Sequence, residues 1–376
     1  MRILVAPNSM KGSLSSFEFA EAISAGLSSV SDFEIINMPV ADGGDNTAPV
    51  IARIIKADFF PCRVEDPLGR EIQSGFFLNK YGTAIIDLSS ASGLQLLKPE
   101  EYSALKASSY GTGQLIRASV EAGAKKIILG LGGSATVDGG MGALMALGVN
   151  FYYKDEKIVK GNGSATGQVT FIDSTEAEIL LKGIEITVLT DVENPIVGKQ
   201  GSAIIFGPQK GASTKEVNIL DKNLSLFAGA LFQTSGKDIS YLKGGGAAGG
   251  IAASFSALFH ADIEKGADFI LELSGFFTKA ELCDVIFTGE GILDNTSFSG
   301  KVTGEIIRFA EKINRPVFFI CAKSNLSYEY SSSLLNTIEL DCDFADNDDI
   351  IARTYNEIVR RAQGKVNLIN ELKNLK

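Results

Sequence analysis

Polar residues collect just beyond the apolar runs of this chain. Asn8, Ser9, Lys11 and Ser13 follow the run at 3–6, and Asp42, Gly43, Gly44 and Asp45 follow the second run. Asp191 and Asn194 come after Ile186 to Leu189, and Gly289, Glu290 and Asp294 come after the run ending at Thr288. The stretch GLGGSATVDGGMGALMALG, beginning at Gly130, adds Gly132, Gly133, Ser134 and one carboxylate, Asp138. Any one of these clusters alone reads as a loop or a cap. Their recurrence at several strand ends points to a site, because ligands of open α/β sheets bind beyond the carboxyl ends of the strands.

The residue types narrow the chemistry. His260 is the single histidine, so a mechanism built on a His pair is excluded; its Leu-Phe-His-Ala context reads as structural, near a helix end. Cys62, Cys283, Cys321 and Cys342 are far apart with no CxxC pair, which signals reduced, mostly buried thiols. There is no GxSxG elbow and no GxxxxGK[ST] element, so the chain is not a Walker-type enzyme. Carboxylates, lysines and glycine turns remain. That set suits phosphoryl transfer, which needs Mg²⁺ near carboxylates, a cation on phosphate and backbone amides.

Charge and length set further bounds. A net charge of −10 argues against broad affinity for nucleic acid or an anionic membrane, so an anionic substrate requires a local cationic pocket. No segment approaches 18 unbroken apolar residues, and the opening MRILVAPNSMKGS is interrupted by Pro7 and Asn8. A cytoplasmic protein is expected. At 376 residues the chain exceeds the ~250 to 300 at which single cores stop growing, and two domains are expected.

The elements that position these residues follow from periodicity. A strand at 3–6, a helix at 17–28 and a strand from Glu34 into Pro39 form a βαβ unit. Short strands at 59–64, 72–78 and 83–88 are separated by Asp66-Pro67-Leu68-Gly69 and Lys80-Tyr81-Gly82, which is hairpin chemistry. The run at 125–129 reads as a buried strand feeding the glycine-rich stretch and a helix with Met141, Leu144 and Met145 on one face. A Gly/Ala loop near Gly245 also runs into a helix. A strand at 284–288, a helix at 304–313 and a strand at 316–322 restore βαβ character, and 348–376 reads as one charged helix.

Parallel patterns at both ends with hairpins between imply an α/β fold of two domains. A Rossmann-like parallel-sheet domain, 1–64 with 281–376, is interrupted by an inserted mixed α/β domain, 65–280, with the substrates in the cleft between them. A glycine turn from strand to helix offers free backbone amides and the positive end of a helix dipole, which favours an anion; the alternative is a tight turn with close packing and no ligand.

Ten collinear blocks resemble the bacterial type 1 glycerate kinases: APNSMKGSLSS at Ala6, PVADGGDNT at Pro39, DPLGR at Asp66, SSASGLQLL at Ser89, SYGTGQLIRA at Ser109, GLGGSATVDGGMGAL at Gly130, TDVENPIVG at Thr190, FGPQKGA at Phe206, GGAAGG at Gly245 and FTGEG at Phe287. The resemblance spans nearly the whole chain. It implies phosphorylation of D-glycerate with ATP and Mg²⁺, with 2-phosphoglycerate as the expected product. The chain departs from the family's TGEGRxDGQ at Ile292 and Asn295, and from its GKxPxGV after Lys301.

The roles implied are these. Asp191 is the leading candidate for the base that accepts the substrate hydroxyl proton, the alternative being an Asx-turn with Asn194 and Pro195. Lys11 contacts phosphate or the glycerate carboxylate, and with Asp294 completes the catalytic set. Asn8, Ser9, Asp42, Gly43, Gly44, Ser134 and Asp138 are assigned to the substrate; Asp138 either reaches it or orients its own loop. Asp42 and Asp45 hold Mg²⁺ or bond the hydroxyls, unless Asp45 caps the helix at 47–55. Gly132, Gly133, Gly289, Glu290 and Lys301 are assigned to the nucleotide, and Glu290 and Asp294 share the metal or stand behind it. Two rivals keep the fold: a non-catalytic sugar-acid sensor, and a kinase for another small hydroxy acid.

Overall fold

A computed structural model describes residues 1–298, 300–326, 332–341 and 349–374. The chain runs through β1 (Arg2–Val5), α1 (Ser16–Ser28), β2 (Glu34–Asn37), α2 (Thr47–Ile55), β3 (Asp58–Glu65), β4 (Glu71–Leu78) and β5 (Thr83–Asp87). Next come α3 (Tyr110–Glu121), β6 (Lys126–Gly130), α4 (Met141–Ala146), β7 (Glu185–Thr190), α5 (Thr214–Ser235), α6 (Ile251–Leu258) and β8 (Asp262–Lys265). It closes with β9 (Val285–Gly289), α7 (Val302–Lys312), β10 (Val317–Cys321), β11 (Leu335–Glu339), α8 (Ile350–Gln363) and α9 (Val366–Asn374), with shorter elements between.

The first compact unit comprises residues 1–42 and 266–376. Its sheet has the order β11-β10-β9-β1-β2 with every pairing parallel. Read by sequence position within the sheet, this is the 2-1-3-4-5 order of doubly wound folds, with the reversal between β1 and β9. Every residue of β9 and β10 is buried, as expected of central parallel strands covered on both faces. The Phe287 and Phe318 rings stack with centroids 4.9 Å apart. On α1, Phe19, Ile23 and Leu27 bury one face, and the helix begins with a capping box in which Ser15 N donates to Glu18 Oε2 at 2.8 Å.

The second unit, residues 43–265, carries a sheet of order β8-β7-β6-β5-β4-β3. Strands β5 to β8 run parallel, and β3 and β4 are antiparallel additions at the edge. The expected hairpin turns form with side-chain help: Asp66 Oδ1 accepts from Leu68 N, and Asn79 Oδ1 accepts from Tyr81 N and Thr83 N. A separate core, built on Ile86, Leu129, Leu144, Val188, Phe227 and Phe255, fills this unit.

Two expectations need adjustment. The units divide after Asp42 and after Lys265, not after 64 and 280. The reason is pairing: β3 runs antiparallel to β4 along its whole length, α2 packs on β4 and β5, and the helices at Gly266–Leu273 and Phe276–Glu281 pack with each other while the first of them packs on α7. The carboxyl-terminal segment is two helices, α8 and α9, because Gly364 and Lys365 interrupt it; Asp348 lies outside the described residues. His260 follows α6 with φ of 54°, a helix-end residue as read from the sequence. Cys283 and Cys321 are buried free thiols and Cys62 is half-buried, whereas Cys342 lies outside the described residues.

Candidate active site

In the first unit, three strand ends meet at the reversal point of the sheet. Asn8, buried just past β1, donates its backbone N–H to the Gly289 carbonyl at the end of β9, 2.9 Å away. Its Nδ2 donates to Asp42 Oδ2 at 3.1 Å, and its Oδ1 accepts from Ser9 N at 2.8 Å. Asn8, Ser9, Asp42 and Gly289 are therefore brought together. Lys11 is exposed in the turn that follows, where Gly12 takes φ of 80°.

Glu290 is 7% exposed, and both of its oxygens are held from the start of α7. Lys301 Nζ lies 3.3 Å from Oε2, and the Thr303 hydroxyl donates to Oε1 at 2.8 Å. Glu290 and Lys301 thus form one pair. Asp294 points its bonds elsewhere: Oδ1 accepts from Thr296 N at 2.8 Å, from the Thr296 hydroxyl at 2.5 Å and from Ser297 N at 3.3 Å. This is an Asx-type turn, and the Thr296 hydroxyl bond first of all holds the Asp294 carboxyl below its usual range. Gly289 has a packing reason to lack a side chain, since a Cβ there would meet the Ile320 carbonyl and the Phe19 ring.

In the second unit, β5, β6 and β7 are neighbours, with Asp87 level with Gly130 and Gly130 level with Leu189. Their carboxyl ends carry Asp87, the Gly132–Ser134 turn and Asp191, the last of these exposed. The Gly43–Asp45 segment lies against that turn: a Cβ on Gly132 would overlap the backbone of Gly44 and Asp45, and one on Gly133, at φ of 63°, would overlap the Asp45 carboxylate. Gly132 is thus required by a neighbouring backbone, and Gly133 by its positive φ and the Asp45 carboxylate, whatever else approaches them.

Asp138 is a loop organiser. It is fully buried, and its oxygens accept from Ser109 N (2.8 Å), Ser109 Oγ (2.7 Å), Gly140 N (3.0 Å) and Gly142 N (3.2 Å). Burial pushes its carboxyl up, and these donors oppose the shift. Ser134 takes its bond from a residue that sequence reading did not single out. Lys210, 3% exposed, donates to Ser134 Oγ at 2.6 Å and to the Thr136 carbonyl at 2.7 Å. Burial lowers its ammonium to about 7, against the pull of Asp138.

Asp87 was also missed. Its Oδ1 accepts from Ala48 N at 2.9 Å, supplying α2 with the cap that Asn46, the N-cap residue at φ of 61°, does not give through its side chain. Burial drives the Asp87 carboxyl up to about 7, with the Asp45 charge adding to the shift and the Ala48 bond opposing it.

These features define an α/β protein whose polar groups gather at the carboxyl ends of parallel strands, the class in which small molecules bind at such ends. The glycerate kinase family matches this chain over residues 3–370. The chain is 35% identical over 367 residues to glycerate kinase of Haemophilus influenzae, covering 96% of this chain and 97% of that protein. It is 36% identical over 322 residues to glycerate 2-kinase of Escherichia coli, covering 85% and 84%. A crystal structure of a protein provisionally named glycerate kinase 2, from Salmonella typhimurium LT2, matches with a TM-score of 0.87 at 30% identity over 100% of this chain and 99% of that one. The chain belongs to the glycerate kinase family.

Proposed function

We propose that this protein transfers the γ-phosphoryl group of ATP to the 2-hydroxyl of D-glycerate, giving 2-phosphoglycerate and ADP. Family membership across residues 3–370 carries the reading. The strand-end geometry supports it, because phosphoryl transfer rests on positioning and on neutralising oxygen charge. In this scheme the 2-hydroxyl oxygen attacks the γ-phosphorus, its proton passes to the Asp191 carboxylate, and ADP leaves. Lys11 neutralises phosphate or the glycerate carboxylate. Asn8, Ser9, Asp42, Gly43, Gly44 and Ser134 serve glycerate, with Asp138 holding the loop behind Ser134. Gly132, Gly133, Gly289, Glu290 and Lys301 serve the nucleotide.

Mg²⁺ fits this donor set in one particular way. Among the described residues no cluster of three or more His, Cys, Asp or Glu is arranged to hold a metal. Asp294 uses one oxygen in its turn, and Glu290 is tied to Lys301 and Thr303. Mg²⁺ at ATP sites is bound by one or two carboxylates together with substrate phosphates and water, not by an all-protein cage. Asp294, with Glu290 behind it, would hold the ion, which when bound neutralises charge on the transferring group. Among the described residues no helix is long and apolar enough to cross a membrane, and the free thiols suit a reducing cytoplasm.

An ADP-release assay across a panel of small hydroxy acids tests the proposal. ADP is expected with D-glycerate and a divalent metal, and chelation should abolish it. No ADP above background with any acid would overturn the kinase reading, and preference for another acid would overturn the substrate.

A further inference from the structure

Lys210 does not belong to the set that sequence reading assigned, yet it is the buried cation at the glycine turn. Burying a lysine is costly unless its donors are used, and two of them are: one on the Thr136 carbonyl and one on the Ser134 hydroxyl. A hydroxyl that accepts from a cation has one of its oxygen lone pairs occupied and its single hydrogen turned elsewhere, and it becomes a stronger donor. Ser134 is 7% exposed and sits directly after the glycines, on the turn that follows β6. Asp138, the nearby carboxylate, has its oxygens engaged by Ser109 and two loop amides. Lys210 is held, then, by one hydroxyl and one carbonyl, with a carboxylate committed to the loop behind it.

We propose that Lys210 is a positioning residue for substrate binding: through its bond to Ser134 it aims the Ser134 hydroxyl hydrogen at the carboxylate of glycerate. This rests on the reading that Ser134 contacts glycerate. In its ammonium form Lys210 supplies local positive charge of the kind that a chain of net charge −10 needs if it is to take up a small anion. It does so without touching the substrate, leaving the hydroxyl as the contacting group.

The test compares wild type with Ser134→Ala, Lys210→Met and the double variant, measuring KM for D-glycerate, KM for ATP, kcat and the thermal midpoint. Each single variant is expected to raise the glycerate KM about ten- to hundredfold, the effect of losing one hydrogen bond to a charged group, with the ATP KM within about twofold. The double variant should be no worse than the more affected single one, because the two residues act as a unit. If Ser134→Ala leaves the glycerate KM unchanged, Ser134 does not contact glycerate and the underlying reading fails. If Ser134→Ala raises it and Lys210→Met does not, the role of Lys210 alone fails. Multiplying effects, or a change in the ATP KM instead, would likewise overturn the role. Should Lys210→Met not fold, ¹⁵N NMR of lysine-labelled wild type decides. The Lys210 Nζ resonance is expected to shift on saturation with D-glycerate, and that shift should be lost in Ser134→Ala; no shift, or the same shift in both, would overturn the role.

Discussion

Asp87 shows how a single half-buried carboxyl ties stability to pH. Its folded-state value is raised to about 7 from 3.8, so between about pH 4 and 7 the folded chain holds a proton that the unfolded chain has released. Stability contributed by this group is present at the acid end and is lost as pH rises through that window. Asp87→Asn keeps an acceptor for Ala48 N and cannot ionise. In urea denaturation the variant should gain on wild type by about 1–3 kcal/mol between pH 4 and 8, less than the full shift implies because some solvent reaches the site. A difference that stays flat with pH would contradict the burial argument. For Asp191 the expectation is kinetic: Asp191→Asn should lower kcat by ~10² to 10⁴-fold with glycerate binding little changed. Asp294→Asn, whose amide oxygen can keep the turn but is a weaker ligand for Mg²⁺, should raise the Mg²⁺ concentration needed for half-maximal activity, with kcat at saturating Mg²⁺ falling less than in Asp191→Asn. Comparable losses in both variants would undo the assignment of the base. As polar residues at strand ends, Asn8, Asp42, Asp191 and Glu290 were legible because each breaks an apolar run. Asp87 was not, since Ile85-Ile86-Asp87-Leu88 reads as strand to its end. Lys210 was not, because a lysine in a loop is exposed by default and its partner Ser134 lies 76 residues away.

At the scale of elements, the glycine turn after β6 receives the segment leading into α2. Gly132→Ala would force a Cβ into the Gly44 and Asp45 backbone, and a shift of backbone of that kind costs about 1–3 kcal/mol. Gly229→Ala is the control: it lies inside α5 with nothing within 4 Å of the added Cβ, and the alanine should stabilise the helix by about 0.5–1 kcal/mol. Urea midpoints of the two variants should therefore move in opposite directions. Equal shifts would mean that the close approach at Gly132 does not set its residue type. Sequence places the turn correctly between a strand and a helix. It does not reveal what the glycines make room for, because Gly44 and Gly132 are far apart in the chain. The unit boundary is a different case: the hairpin of β3 with β4 was legible from its turn, and a boundary after 64 cuts through that hairpin, which in fact keeps β3 in the second sheet.

At the scale of the whole molecule, each unit carries its own parallel-stranded sheet and its own core, and each gathers carboxylates, a lysine and backbone amides at its strand ends. The parallel βαβ patterns at both chain ends made the discontinuous first unit readable, since Ile3 and Val285 occupy adjacent strands of one sheet. The chain's negative charge leaves cation supply to a few placed lysines, Lys11 and Lys301 in the first unit and Lys210 in the second. The central claim is that this family member phosphorylates D-glycerate at the 2-hydroxyl. Proton-coupled ³¹P NMR of the reaction with ATP, Mg²⁺ and D-glycerate tests it most directly. A phosphate ester on C2 couples to one methine proton and gives a doublet that grows as ATP is converted to ADP. A triplet, from an ester on the C3 methylene, or no new ester resonance at all, would contradict the account.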